Sequence, residues 1–198
     1  MIPDPDLRAK VARVVAEPVE IVPYDPDWPD RFAAEKAHLL ACLPPGLIRR
    51  IEHFGSTAVP GLAAKPIIDM LVEVASLDET RRRAAPILEA QGYDYFWRPT
   101  FGDDGPPFYA WFIRRDAAGR RTHHIHMVEA SFTGHWDRLL FRDFLRAHPE
   151  TARAYQVLKL GLASTLSGDR VGYTRRKGAF IDRITARAKA DAAAAASA

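Results

Sequence analysis

The sequence predicts an α+β fold: a mixed β-sheet carrying a C-terminal helical cover, in a single domain. Three observations lead there. Strand-like runs concentrate between residues 47 and 129, helical patterning fills the chain from residue 136 onward, and no Ser/Gly-rich linker separates the two halves.

Taken in order, LRAKVARVVAE at 7–17 has helical spacing, and VEIVPY at 18–23 alternates like a short strand before the Pro/Asp-dense turn YDPDWP. Pro29 opens a second helix, with Phe32, Leu39, Leu40 and Leu43 at helical intervals, which the PPG at 44–46 stops. Leu47–Phe54 and Pro66–Val74 read as strands joined by the connector GSTAVPGLAAK, the second apolar enough to be covered on both faces. Leu77–Gln91 reads as a helix capped by Gly92. Strands follow at 93–99, 108–115 and 120–129, the last two joined by the hairpin signal DAAG. Three helices are expected at 136–147, 149–166 and 174–190, with Pro149 suited to a first helical turn.

The 198 residues thus divide into an N-terminal helical extension (1–18), a folded domain (19–190) and a disordered, Ala-rich tail (191–198). Hydrophobic residues at 47% support a packed core, and no stretch approaches the roughly 20 apolar residues of a membrane span. The start MIPDPDLRAK lacks the features of a secretory signal, and a single cysteine, Cys42, excludes an internal disulfide and a thiolate metal cluster. Both point to the cytoplasm. A net charge of +3 is too small to imply nucleic acid, and no contiguous basic stripe occurs; a long nucleic acid is therefore disfavoured as partner. The bias of 22 arginines to 6 lysines is what a GC-rich genome produces, which makes the lysines the more informative cations.

Chemistry concentrates in IEHFGSTAVPGLAAKPIIDMLVEV, residues 51–74. Gly55 lets backbone approach a ligand closely, and Ser56 and Thr57 offer hydroxyls and N–H groups to phosphate oxygens. Asp69 sits in an otherwise apolar strand, where a carboxylate needs a cation or donors. In the strand RRTHHIHMVE, His124 and His126 share one face, able to lie beside Asp69, while His123 faces away. His53 can approach the same site, which would turn Glu52 to the other face. Lys65 stands before the Asp69 strand, and Arg142/Arg146, Tyr155/Lys159 and Tyr173/Lys177 are each four apart on helices. Facing the sheet, such pairs make a basic, tyrosine-lined wall for phosphates and a ring; facing away, they are solvated helix surface.

The GSTAVPGLAAKPIID block, the preceding YDPDWPDRFAAE, the HIHM strand and FRDFLRAHPETARAYQVLK resemble the GrpB family over residues 20–187. That family is similar in fold to the nucleotidyltransferase superfamily, in which a Gly-Ser loop binds triphosphate and carboxylates on the next strand hold divalent metals. The resemblance implies Gly55 and Ser56 as the loop, Asp69 as first carboxylate, and Mg2+ or Mn2+ as cofactor. The second carboxylate would fall at Leu71, which cannot ligate. Glu73 lies about 13 Å from Asp69 at ~3.3 Å per residue, too far to share its metal. Asp103 and Asp104 in the 99–107 loop are further candidates.

Three functions follow. The first is transfer of a nucleotidyl group with a divalent metal on Asp69. The second is a non-catalytic module binding a nucleotide or other phosphate-bearing small molecule, such as a coenzyme A precursor, since members of the family occur fused to dephospho-coenzyme A kinase. The third is a mononuclear metal enzyme on Asp69, His124 and His126.

Overall fold

The structure, a computed structural model, describes residues 5–99 and 105–196. Five strands form one mixed sheet in the order β1-β2-β5-β4-β3: β1 (Ile48–Phe54), β2 (Ile68–Val74), β3 (Asp94–Pro99), β4 (Phe108–Arg115) and β5 (Arg121–Val128). The β2–β5 pair is parallel and the other pairs are antiparallel. This puts β2, the most apolar strand, between β1 and β5, with Met70, Leu71 and Val72 fully buried.

Alternation along the strands gives the sheet two different faces. On one, Met70, Val72, Ile125, Met127 and Phe112 pack beneath α2 (Trp28–Cys42), and α4 (Ala85–Ala90) covers the same core. Each such side chain contributes roughly 1.5–3 kcal/mol by leaving water. Pro29 occupies the first turn of α2, where the missing N–H costs nothing. The short α3 (Leu77–Glu79), capped by the Ser76 hydroxyl, runs through a π turn at Thr80–Ala84 into α4. The expected helix at 77–91 is therefore one helix with a widened turn.

The other face meets the C-terminal helices α5 (Thr133–Ala147), α6 (Pro149–Thr165), α7 (Arg170–Arg176) and α8 (Gly178–Ala196). Here Leu71, Tyr109, Trp111 and Val128 lie under Trp136 and Leu139 of α5. Phe141, Phe144, Leu145, Tyr155 and Ile184 hold the helices to one another and to Val59 and Leu62 of the connector. The N-terminal α1 (Pro5–Ala16) reaches this side of the molecule as well, where Val14 packs against the sheet cluster.

Three expectations are corrected. Residues 18–23 form no strand; Val22 and Ala64 exchange two backbone hydrogen bonds, an isolated bridge that ties the segment to the connector. The helix expected at 174–190 is two helices meeting at Lys177, the first starting earlier because the Asp169 carboxylate caps Gly172 N–H at 2.8 Å. Finally, α8 continues through Ala196 where a disordered tail was expected from residue 191, since alanine carries the highest helix propensity.

Candidate functional site

The sheet register assembles the site. Phe54 and Asp69 are paired across β1 and β2, so Gly55 begins where the Asp69 carboxylate projects. Gly55 has φ of 74°, and a Cβ there would overlap Asp69 Oδ2. Only glycine supplies both the backbone angle and the space. Ser56 to Ala58 then form a short 3-10 turn, with Tyr155 of α6 beside Ser56.

Across the parallel pair, Asp69 lies opposite His124 and Leu71 opposite His126. His124 Nδ1 is 3.1 Å from Asp69 Oδ1. Burial pushes the Asp69 carboxyl up, but the His124 hydrogen bond and the charges of Lys65 and Lys177 hold it below its ordinary value. An ionised Asp69 only accepts, so the proton of this bond belongs to His124 Nδ1. Burial lowers His124 to about 4, leaving it neutral, and its Nε2 is buried without a partner among the described residues. His126 is likewise held neutral by burial; its ring stacks on Tyr109 at 5.4 Å and lies 5.7 Å from His135.

This face opens into a cavity of about 1060 Å³ between the sheet, the connector, α1 and the C-terminal helices. Among the described residues eight cations border it: Lys65 from the connector, Arg138 from α5, Lys159 from α6, Arg170 from α7 and Lys177 from the α7–α8 junction, together with Arg98, Arg121 and Lys189. Both Lys65 and Lys177 place Nζ over the Tyr173 ring, at 5.4 and 5.3 Å. Lys159 Nζ lies 4.9 Å over Tyr155 and donates to the Ala63 carbonyl, and Arg138 stands 5.7 Å over Phe54. Arg170 leaves Nη2 unpartnered among the described residues.

Lys65, Arg138, Lys159, Arg170 and Lys177 are held below their ordinary pKa by burial first, with repulsion from neighbouring cations adding to it, Lys159 reaching about 7. Asp69 is the carboxylate that offsets Lys65, Lys177 and Arg138, while Arg170 is offset first by Glu17 and then by Asp69. Lys65 and Lys177 are solvent-touched inside the cavity although they sit deep in the protein, so their charges act in a partly dry space.

Gly55, Ser56, Thr57, Lys65, Asp69, His124, His126, Tyr155, Lys159, Tyr173 and Lys177, all singled out in the sequence, border this cavity. Arg142 does not. Its guanidinium donates to Glu52 at 3.0 Å, to the His53 carbonyl at 2.8 Å and to Asp143, while Arg146 holds the Ala58 carbonyl at 2.9 and 2.7 Å. The two arginines clamp the carbonyls on either side of the Gly-Ser loop from behind. The Thr57 hydroxyl is also engaged, bonded to His53 Nε2 at 3.0 Å and to the Ile67 carbonyl at 3.3 Å.

The phase of β1 is the reverse of that expected. Glu52 points to the α5 side, and His53 stacks on Phe32 of α2, centroids 4.8 Å apart. Sequence reading passed over Arg138, Arg170, Arg98 and Arg121. Two of these carried a signal: Arg138 is one helical turn before Arg142, and Arg170, Tyr173 and Lys177 follow an i, i+3, i+7 stripe. Asp103 and Asp104 lie outside the described residues. Among the described residues no group of three or more His, Cys, Asp or Glu side chains is arranged to hold a metal ion.

A mixed five-stranded sheet with helices on both faces makes the chain a small α+β protein. Comparison with known proteins gives its family. The GrpB protein family profile matches residues 18–187, and the chain belongs to that family. It is 43% identical to a UPF0157 protein of Pseudomonas aeruginosa, over 87% of this chain and 68% of the relative. The crystal structure of conserved protein GrpB from Enterococcus faecalis is similar at 34% identity with a TM-score of 0.74, covering 85% of this chain and 96% of that one. The chain is also 30% identical to a dephospho-CoA kinase of Mycobacterium bovis, aligning 86% of itself with 46% of that protein.

Proposed function

We propose that the cavity binds a small phosphate-bearing molecule, a nucleotide or a nucleotide-containing precursor, through side-chain cations. The observation that carries this reading is the imbalance of charge: among the described residues eight cations line the cavity against three carboxylates, of which Asp69 is engaged by His124 and Asp137 by Lys189. Mutual repulsion destabilises the empty cavity, and a polyanion relieves it. Tyr155 and Tyr173 supply ring faces beside the lysines. The similarity to part of a dephospho-CoA kinase supports coenzyme A precursors as members of the ligand class.

The Mg2+ or Mn2+ implied by the superfamily resemblance does not fit these residues. Asp69 Oδ1 accepts from His124, Oδ2 packs on Gly55, and four cations repel a divalent ion from it. The second carboxylate position is Leu71, fully buried in an apolar cluster. Two-metal nucleotidyl transfer needs carboxylates converging on both ions. The binding reading therefore stands ahead of nucleotidyl transfer and of a mononuclear metal centre.

Calorimetric and melting titrations with the four nucleoside triphosphates, coenzyme A and dephospho-coenzyme A, each in EDTA and in Mg2+, test the reading. Binding in EDTA at 100 times the dissociation constant should stabilise the fold by about 2.7 kcal/mol. A requirement for Mg2+ together with loss of binding in Asp69→Asn would instead support the nucleotidyl-transfer reading.

A further inference from the structure

We propose that the ligand is an amphiphile, whose phosphate sits on the cationic floor and whose apolar substituent lies along α1. This rests on the phosphate-binding reading and names the other half of the molecule. Leu7, Val11 and Val15 are 40%, 45% and 46% exposed, and Val171 of α7 is 36% exposed. All four border the same cavity as Lys65 and Lys177. Their spacing on α1, at i, i+4 and i+8, makes one continuous stripe.

The stripe has a fixed orientation. Val14, one turn from Val11 and also bordering the cavity, packs against the sheet cluster and so turns this face of α1 toward the sheet. Arg13 pairs with Asp94, and Arg121, itself bordering the cavity, pairs with Glu17 at 2.7 Å just beyond the helix and donates to the Val14 carbonyl. A helix anchored by that many charges has no need of exposed valines for its own docking. Soluble proteins keep contiguous exposed apolar surface chiefly where a ligand or partner covers it.

Charge and volume select the occupant. The apolar stripe is continuous with the cationic floor inside one cavity, so a single molecule touching both must carry an anion at one end and hydrocarbon or ring surface at the other. At about 1060 Å³ the cavity lies at the upper end of small-molecule sites and exceeds what a phosphate group alone fills. The family match begins at residue 18, so α1 adds this wall outside the matched region.

Calorimetry with methyl, butyl and octyl phosphate on the full chain provides the test. Affinity is expected to rise with each methylene, by up to about fourfold. In Val11→Asp and Val15→Asp, the gain from butyl to octyl should vanish, read as the ratio of the two affinities so that the repulsion the new charge exerts on every ester cancels; both sites are surface positions, so folding is retained. Equal affinity for methyl and octyl phosphate overturns the inference and leaves the phosphate-binding reading standing. Absence of binding by every ester, with no binding of nucleotides or inorganic pyrophosphate, overturns both. A dimer in sedimentation that Val11→Asp disperses, with chain-length-independent affinity, would assign the stripe to a second copy of the chain and also overturn it.

Discussion

At the scale of single residues, the account depends on which cations are free to meet a ligand. Lys177 has no carboxylate within salt-bridge distance among the described residues, repels Lys65 and Lys159, and touches the Tyr173 ring. Lys177→Ala is expected to weaken nucleotide binding about 10- to 100-fold, the cost of one charge-assisted contact. The same change should raise the Lys159 pKa above its value of about 7, which NMR titration of the lysine side chains would show. Gly55→Ala should lose about 1–3 kcal/mol of stability in denaturant titrations, because the residue is held at φ 74° and a methyl group would displace Asp69. Asp69 and the Gly-Ser loop were legible in the sequence, since a carboxylate in an apolar strand demands partners. The dominance of Arg138 and Arg170 was not. Arginines are abundant in this chain, so the helical spacing of Arg138 to Arg142 and of Arg170 to Tyr173 and Lys177 was a signal that solvated arginines share.

At the scale of elements, strands and their order of appearance followed from alternation and turn residues, but the phase of β1 did not. Period-two patterning leaves two choices, and here either Glu52 or His53 had to face the cavity side. The choice is made by tertiary contacts: Phe32 of α2 stacks on His53, and Arg142 of α5 takes Glu52. Arg142 is accordingly a clamp between α5 and β1. Arg142→Ala should lower stability by roughly 1–3 kcal/mol, because Glu52 and the His53 carbonyl lose their donor. Its effect on nucleotide affinity per folded molecule should stay within about threefold. The reverse profile, intact stability with lost affinity, would return Arg142 to the ligand site. The division of the last helical segment at Lys177 was likewise hidden, because local propensity runs through it and only the Asp169 cap marks the true start of α7.

At the scale of the whole molecule, no helix among the described residues is long and apolar enough to cross a membrane. The interior instead gathers neutral histidines: burial lowers His53 and His124 to about 4 and His135 to about 2. In the unfolded chain these groups protonate near pH 6.5, so between about pH 6.5 and 4 the unfolded state binds more protons than the native one. Stability is therefore expected to fall as pH drops through that window, read as a falling melting temperature. The buried cavity cations work in the same direction at higher pH. Their native pKa values lie below the unfolded ones, so the ligand-free protein should gain stability as pH rises from about 7 toward 10, through the window set by Lys159. A bound phosphate compound should flatten that rise, because it supplies the missing negative charge.

The central claim is that this charge, without a divalent metal, captures a phosphate-bearing molecule. Isothermal titration of the same nucleotide in EDTA into the wild-type chain and into Lys65→Ala and Lys177→Ala measures it directly. The account predicts saturable one-to-one binding to the wild type that each variant weakens at least tenfold. No binding without added Mg2+, or equal affinity in all three proteins, would contradict it.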